Sequence, residues 1–283
     1  MMKNLNYKIE IGDYSTPESI AQLRVMFDAA YGKDKTVKLS TDFLKWQYLD
    51  NPNGKVVSFN AWSEEGEMAG HYATIPVKMK LDGKVVKGLL SLNTATHPKH
   101  QGKGLFTKLA NATYEYAKEN GYKFVIGVAN ANSTHGFLKK LGFYLIAPLE
   151  VKVGMGNPFK NVEIEGKNYC YYDAETLKWR LACPAFKSTQ KGNVILGSRN
   201  EPCFKTCVAP VPSGVKETGL KNEGSLFGLY VGLGIKTSGM YVNLPKFIKR
   251  SPFNLIFRDL TDGELPKLTT ENIVFTLMDY DVA

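Results

Sequence analysis

The sequence predicts an α+β fold, in which helices flank a mixed and mostly antiparallel sheet. Three observations support this prediction. Two stretches with the apolar spacing of helices come first, at 16–32 and 41–49. Three strand-like segments joined by short turns follow, between residues 56 and 96. Helical and strand-like segments then alternate as far as residue 153, which is typical of one sheet covered by helices.

The first elements carry clear boundary signals. Tyr7 to Gly12 alternates apolar and polar residues and predicts a strand. Thr16 is placed to cap a helix that begins with proline and glutamate and ends near Gly32. Thr41 is placed to cap a second, shorter helix, which ends near Leu49 before a proline-glycine turn.

The next three segments predict a meander of strands. They run from Val56 to Trp62, from Met68 to Leu81 and from Lys84 to Thr96. Asp82-Gly83 separates the last two and is a strong two-residue hairpin signal. The second strand is long enough to carry a bulge or a bend.

Four further elements are predicted before residue 155. A helix from Gly104 to Glu119 ends at a glycine cap, and a buried strand runs from Tyr122 to Ala129. Another helix begins at Asn132-Ser133 and reaches Leu141. A final strand is predicted from Phe143 to Val153.

A glycine-rich turn joins the third strand of the meander to the helix that follows it. The turn reads Gln101-Gly102-Lys103-Gly104 and opens a helix. The first backbone N–H groups of a helix have no internal partner, and the helix dipole favours negative charge there. Glycine permits positive φ and lets a ligand approach the backbone closely. The turn therefore predicts a cradle for a diphosphate.

This turn, its place in the element order and the ending Leu141-Gly142-Phe143 resemble the GCN5-related N-acetyltransferase (GNAT) superfamily. The resemblance covers about residues 5–155 and implies the GNAT fold with an acyl-coenzyme A donor. A GNAT acetyltransferase domain is accordingly predicted at 1–155. In this superfamily the donor lies where the fourth and fifth strands separate, and its amides pair with the fourth strand.

The resemblance implies a set of donor-binding residues by position. They are Thr94, Ala95, Thr96, Gln101, Gly102, Lys103, Gly104, Leu105, Phe106, Thr107 and Asn132. Lys103 either adds charge to the diphosphate or is simply solvated. Asn130 and Asn132 either contact the donor or serve as cap and turn residues. Acetyl-CoA is the predicted donor.

Two residues depart from the family pattern. Phe106 stands where glycine or alanine is usual, so the cradle requires its ring to point away from the phosphate. Leu138 stands where many relatives carry a tyrosine that protonates the departing thiolate. A thiolate with a pKa of ~8.5 can leave without an acid, because water can protonate it later. Leu138 thus leaves the general acid open and the reaction possible.

Transfer to a protonated amine needs a general base. The candidates are His71, on the long strand, and His135, in the helix that begins at 132. Each also has a structural interpretation, as a satisfied strand histidine and as a surface residue. His97 and His100 are expected to face solvent, and no metal site is predicted.

A short internal repeat predicts a second module. Residues 42–47 read Asp-Phe-Leu-Lys-Trp-Gln and residues 175–180 read Glu-Thr-Leu-Lys-Trp-Arg. Only three tryptophans occur in the chain, so two in the same context are informative. A degenerate, β-rich GNAT-like domain without the glycine turn is predicted at 156–283, with a short helix at 245–250. The alternative is coincidence between two amphipathic helices.

Composition limits the classes of partner. The net charge of +9 comes from scattered lysines and arginines, without the basic stripe of a nucleic-acid protein. No apolar stretch reaches ~18 residues and no signal peptide is recognised, so no membrane contact is expected. Four cysteines, at 170, 183, 203 and 207, are expected as free thiols in the cytoplasm. Oligomeric state stays open.

The predicted function is direct transfer of acetyl from acetyl-CoA to an amine of a small molecule or peptide. Two alternatives remain open. One is an acyl-CoA-binding or scaffold protein without catalysis, because the family's tyrosine is missing. The other is a Fem-like peptidyltransferase that uses aminoacyl-tRNA, because paired modules occur there. The glycine turn favours CoA, and the scattered positive charge argues against tRNA.

Overall fold

The computed structural model describes residues 6–33, 39–159, 162–198, 204–212, 215, 218–238, 240–245, 248 and 251–280. Cys203 and most of the helix predicted at 245–250 lie outside these residues. The helices are α1 (Pro17–Tyr31), α2 (Thr41–Tyr48), α3 (Leu105–Glu119), α4 (Ala131–Lys140) and α5 (Ala174–Leu181). Among the described residues, no helix combines the length and the apolarity needed to cross a bilayer.

The strands join into one extended sheet. They are β1 (Lys8–Ile11), β2 (Val57–Trp62), β3 (Met68–Leu81), β4 (Lys84–Thr96), β5 (Phe124–Ala129), β6 (Tyr144–Pro148), β7 (Glu150–Met155), β8 (Asn168–Cys170), β9 (Lys187–Lys191), β10 (Val194–Ser198), β11 (Phe204–Pro210), β12 (Phe227–Leu233), β13 (Met240–Asn243), β14 (Asn254–Asp259) and β15 (Ile273–Thr276).

The predicted α+β architecture is confirmed, and local signals placed most boundaries correctly. The strands predicted on either side of Asp82-Gly83 have the predicted ends. Asp82 and Gly83 have φ values of 45° and 80°, as a tight hairpin turn with two positive φ angles requires. One predicted cap is wrong: the Ser40 hydroxyl, not Thr41, accepts the N–H of Phe43 at the start of α2.

The final strand predicted at 143–153 is wrong as a single element. The chain forms two strands, β6 and β7, which are separated at Leu149. The N–H of Leu149 donates to the carbonyl of Phe253 at 2.7 Å. The two strands then join different parts of the sheet: β6 pairs with β14, whereas β7 pairs with β12 and β13.

The two halves of the chain exchange one strand each. β14, from the second half, lies between β5 and β6 and is antiparallel to both. β7, from the first half, lies between β12 and β13 and is antiparallel to both. The boundary predicted at residue 155 therefore does not separate two independent sheets.

The second half repeats the element order of the first. Helix α5 precedes the neighbouring strands β9, β10 and β11, as α2 precedes β2, β3 and β4. β11 is parallel to β12, as β4 is parallel to β5. A register shift opposite Ile195 and Leu196 marks a bulge in β11 at Val208. This correspondence supports the repeat inferred from the two Leu-Lys-Trp segments.

The two repeated tryptophans meet where α2 contacts α5. The rings of Trp46 and Trp179 stack with centroids 4.8 Å apart and planes inclined by 16°. Trp46 Nε1 donates to the Trp179 carbonyl at 2.8 Å, and Trp179 Nε1 donates to the Trp46 carbonyl at 2.9 Å. Such reciprocal bonding is expected where an approximate twofold axis relates two copies of one unit.

Helices cover both faces of the first sheet. Apolar residues of α1 and α2 pack on one face, in a core that also contains Phe257 and Phe275 from the second half. Apolar residues of α3 and α4 pack on the other face, against Val125 of β5. The part of the sheet formed by the first half of the chain thus lies between two helical layers, as the GNAT-like prediction requires.

Replacing either tryptophan of the pair by phenylalanine tests this contact. Trp46→Phe and Trp179→Phe each remove one buried donor, and we expect each to lower the free energy of unfolding by about 1–3 kcal/mol. Because the two rings stack on each other and exchange hydrogen bonds, the two losses of stability should not add. Urea unfolding of the single and double variants should give a coupling free energy of about 0.5–3 kcal/mol. Trp62→Phe combined with Trp179→Phe is the additive control; additivity in the 46/179 pair would contradict the reciprocal contact.

Candidate active site

Strands β4 and β5 separate part-way along the sheet. Their parallel pairing covers only Leu89–Ser91 against Val125–Gly127. Beyond Ser91, two residues of β4, Asn93 and Thr94, oppose the single residue Tyr72 of β3. Asn93 has a φ of 43°, in the left-handed region that asparagine tolerates better than most residues. The bulge bends β4 away from β5 and leaves one edge of its last residues unpaired.

Side chains from α1 and α2 hold this bulge. The hydroxyl of Tyr31 donates to the carbonyl of Thr94. The amide of Asn93 donates to Gln47 Oε1 at 2.6 Å and to the Tyr48 hydroxyl at 3.1 Å. The irregular backbone is therefore fixed by hydrogen bonds from the face of the sheet opposite α3 and α4.

His71 belongs to the same network. Its Nδ1 lies 2.7 Å from Asn60 Oδ1 and 3.1 Å from the Tyr14 hydroxyl, and its Nε2 lies 3.0 Å from the Tyr48 hydroxyl. These contacts fit a proton on Nδ1, with Tyr48 donating to Nε2 and accepting from Asn93. The ring has no solvent exposure, and this burial lowers the pKa of His71 to about 3. His71 is thus a neutral support for the bulge.

The predicted cradle has an open backbone. Gly102 and Gly104 have φ values of 74° and 73°, and no side chain caps the N-terminus of α3. A Cβ atom built on either glycine would meet no atom within 4 Å. The turn is therefore open beside both glycines, and no side chain caps the N–H groups at the start of α3, as a bound diphosphate requires.

Phe106 leaves the cradle open. Its ring packs edge-to-face on Phe137 of α4, with centroids 5.2 Å apart. A Cβ built on Gly136 would lie 2.8 Å from the Phe106 ring, so this glycine makes room for it. The ring thus points toward α4, which meets the condition set by its unusual position.

The other predicted donor residues differ in their surroundings. Gln101 and Lys103 are exposed, whereas Leu105 is buried and can offer only its backbone. Lys103 Nζ lies 3.5 Å from the Lys99 carbonyl and 5.9 Å from the Tyr7 ring. Local contacts thus account for Lys103, and its role toward a ligand stays a prediction.

The remaining predicted residues, Asn130, Asn132 and His135, lie in or beside the first turns of α4. The side chain of Asn130 caps it by accepting the N–H groups of Asn132 and Ser133, both at 3.0 Å. The helix therefore begins at Ala131, before the predicted start, and Asn130 acts as a cap. His135 and Asn132 have exposed side chains. His71 and His135 are not brought together, since one is in the core and the other on the surface.

The expectation that His97 and His100 face solvent is wrong. His100 is buried, with 6% of its surface exposed, and His97 is partly buried. Both rings turn toward the carboxylate of Glu67, in the turn that precedes β3. Carboxylate attraction and the short turn at Pro98–His100 hold them there.

Comparison with known proteins identifies the first half. The sequence model of the family described as "Acetyltransferase (GNAT) domain" matches residues 13–146. Residues 13–146 are a GNAT domain. The match contains the cradle, the bulge and both strands that separate there, but it ends before β14 and the rest of the second half.

Solved structures extend the likeness in fold to most of the chain. A probable N-acyltransferase from Enterococcus faecalis V583 has a TM-score of 0.61 at 6% identity, covering 90% of this chain and 73% of its own. A GCN5-related N-acetyltransferase from Anabaena variabilis ATCC 29413 has a TM-score of 0.58 at 11% identity, covering 91% and 74%. No curated protein matches the sequence. At such low identity these structures support the fold alone.

Sequence reasoning missed the residues that shape the gap between β4 and β5. Asn93 and Tyr31 were not predicted to act at the site, and the bulge was expected in β3. An asparagine inside a long strand pattern is the one local signal that points to it, because asparagine tolerates positive φ. The hydrogen bonds from α1 and α2 depend on tertiary packing and leave no periodic signal.

The buried state of His71 predicts a specific pH dependence. Its pKa of about 3 lies below the value of about 6.5 in an unfolded chain, so the unfolded state binds the proton first as pH falls. Its contribution is complete above about pH 6.5 and is lost at about 1.4 kcal/mol per pH unit below that. We expect the stability difference between wild type and His71→Gln to shrink by about 2 kcal/mol from pH 8 to pH 5. Urea unfolding at both pH values measures it, and a constant difference would contradict the neutral buried state.

Proposed function

We propose that this protein transfers an acyl group, with acetyl as the expected group, from acyl-CoA to an amine. The observation that carries the proposal is the combination of an uncapped helix N-terminus and an unpaired strand edge on neighbouring elements. Gly102 and Gly104 open the first, and the bulge at Asn93 and Thr94 creates the second. A diphosphate suits the uncapped helix N-terminus, and an arm that contains amides suits the unpaired strand edge. A ligand in which the two are joined therefore matches both features.

The diphosphate end of CoA fits the cradle. The backbone N–H groups of residues 102 to 107 supply donors without a competing side-chain cap, and the α3 dipole adds favourable charge. Thr107 is half-buried at the helix start and offers a hydroxyl to a phosphate. Lys103 offers an exposed ammonium beside the same turn.

The arm of the donor fits the free edge of β4. Its amides would pair with the backbone of residues 94 to 96 in the manner of an added strand. Thr94 and Thr96 are partly exposed and Ala95 is buried, so the backbone rather than the Ala95 side chain serves the donor. The thioester would then lie in the gap between β4 and β5.

The proposed chemistry is direct attack within a ternary complex. The amine nitrogen attacks the thioester carbonyl, the carbon–sulfur bond breaks, and the amine proton passes to a base. The thiolate leaves with its electron pair and takes a proton from water, since Leu138 has none to give. Because His71 is buried, His135 is the remaining histidine candidate for the base, and this role stays a prediction.

Leu138 favours one second candidate function, an acyl-CoA-binding protein without transfer. The side chain is partly buried against the core between α3, α4 and the sheet. Leu138 therefore contributes apolar contacts where many relatives have an acid, and the cradle is unaffected. Donor binding and turnover separate the two candidates.

Calorimetric titration with CoA and acetyl-CoA tests donor binding, and thiol release against a panel of amines tests transfer. We expect saturable binding of one donor per chain and thiol release that depends on the amine. Propionyl-CoA and longer acyl-CoA in the same assay define the acyl group. Binding without amine-dependent release would favour the non-catalytic candidate, and the lack of binding to either ligand would refute both.

A pair of glycine substitutions tests the cradle. Gly104 at the start of α3 and Gly121 after its end have φ values of 73° and 79°, and a Cβ on either meets no atom within 4 Å. Gly104→Ala and Gly121→Ala should therefore lower the free energy of unfolding by a similar amount, about 1–2 kcal/mol. Only Gly104→Ala should also weaken CoA binding, by at least about tenfold, because its methyl group enters the cradle. Equal loss of binding in both variants would show an effect of stability alone.

A further inference from the structure

A cluster of three ligand-type side chains lies beside the cradle and has no part in the proposed transfer. It consists of Glu67, His97 and His100. His97 Nε2 lies 3.5 Å from Glu67 Oε1, and His100 Nε2 lies 3.0 Å from Glu67 Oε2. One ligand atom from each of the three residues lies within 4.8 Å of the others. The turn before β3 and the segment 97–100 thus direct one carboxylate and two imidazoles at the same point.

The spacing suits a transition-metal ion. Zinc binds imidazole nitrogen and carboxylate oxygen at about 2.0–2.2 Å, so neighbouring ligands of a tetrahedral ion lie about 3.3–3.5 Å apart. His97 Nε2 has this separation from one oxygen of Glu67, at 3.5 Å, and His100 Nε2 lies slightly closer to the other oxygen, at 3.0 Å. We propose that Glu67, His97 and His100 bind a divalent transition-metal ion such as Zn²⁺.

The surroundings of His100 support ligation through Nε2. Its Nδ1 lies 2.9 Å from the hydroxyl of Tyr7. At 3.0 Å from Glu67 Oε2, Nε2 carries a proton and donates it to the carboxylate. Ligation would displace this proton, and the tautomer with a proton on Nδ1 would then donate to the Tyr7 hydroxyl and leave the Nε2 lone pair for the ion. Orientation of a ligating imidazole by a hydrogen bond from its other nitrogen is usual at metal sites.

His97 and Lys99 must adjust, and each adjustment is small. His97 Nδ1 accepts the N–H of Lys99 at 3.3 Å, and ligation through Nε2 exchanges this long hydrogen bond for a metal bond. Lys99 Nζ lies 3.8 Å from Glu67 Oε1, but its side chain is 75% exposed and can move into solvent. The ion would then neutralise the Glu67 carboxylate in place of the lysine.

A cavity gives access to the cluster. A space of about 210 Å³ is lined by Glu67 and His97 together with residues of α1 and β2, among them Met26 and Trp62. It is large enough for several waters, whose share of liquid volume is about 30 Å³ each. The cavity can therefore supply the water that completes a four-coordinate ion.

An ion in this place would join two segments. Glu67 lies in the turn before β3, and His100 directly precedes Gln101 of the cradle. The ion would fix the first residue of the cradle to the β2–β3 turn. Occupancy of the site does not depend on the proposed transferase activity.

Zinc titration of the tag-free full chain tests the proposal. Calorimetry should show one Zn²⁺ per chain, and Co²⁺ should give the visible absorption of a four-coordinate ion with nitrogen and oxygen ligands. Glu67→Gln and His100→Gln should each weaken Zn²⁺ binding by at least tenfold. His135→Gln, which removes an exposed histidine from α4, is the matched control and should bind with unchanged affinity.

Either of two titration results would overturn the proposal: no saturable binding of Zn²⁺, or binding that survives in both Glu67→Gln and His100→Gln. Circular dichroism checks that the variants fold. Amide hydrogen exchange of the wild-type chain gives a test that needs no variant. Bound Zn²⁺ should slow exchange in residues 97–104, and unchanged exchange with one ion bound would place the ion elsewhere and refute the site.

Discussion

The antiparallel pairing of β14 with β5 is the interaction on which the rest of the structure depends. β5 must separate from β4 beyond Ser91 if a gap is to open between them, and its parallel pairing with β4 covers only three residues. β14 pairs with β5 over its full length, from Ala129 to Phe124. The backbone groups of β5 are therefore satisfied on one side, and the strand keeps its place although it loses its partner on the other.

The strand exchange makes the two halves a single cooperative unit. The core on the α1–α2 face includes residues from both halves, and the tryptophan pair joins α2 to α5 through reciprocal hydrogen bonds. The candidate site in the first half thus rests on a strand that the chain reaches more than 100 residues later. β14 can pair with β5 only after the long stretch of chain between them has been closed into a loop. This closure costs entropy, and contacts between residues so far apart in sequence are typical of slow folding.

Local chemistry was enough to predict most elements and the cradle. Asp82-Gly83 favours a tight hairpin turn through its own backbone preferences, and two glycines before an amphipathic helix favour an open N-terminus. The strand exchange was not predictable, because pairing partners are chosen by tertiary packing and β6 and β7 read as one continuous apolar pattern. The same limit applied to His71 and His100, whose burial depends on partners such as Tyr48 and Glu67 in distant segments.

The contact between Phe106 and Gly136 has an evolutionary consequence. A Cβ at residue 136 would lie 2.8 Å from the ring. The Phe106 ring on α3 therefore occupies the space that a side chain at position 136 of α4 would need. In relatives whose sequence has glycine or alanine at the position of Phe106, the position of Gly136 is released from this restriction. The two positions should therefore covary, with the total side-chain volume at the α3–α4 contact held roughly constant while the cradle beside it stays open.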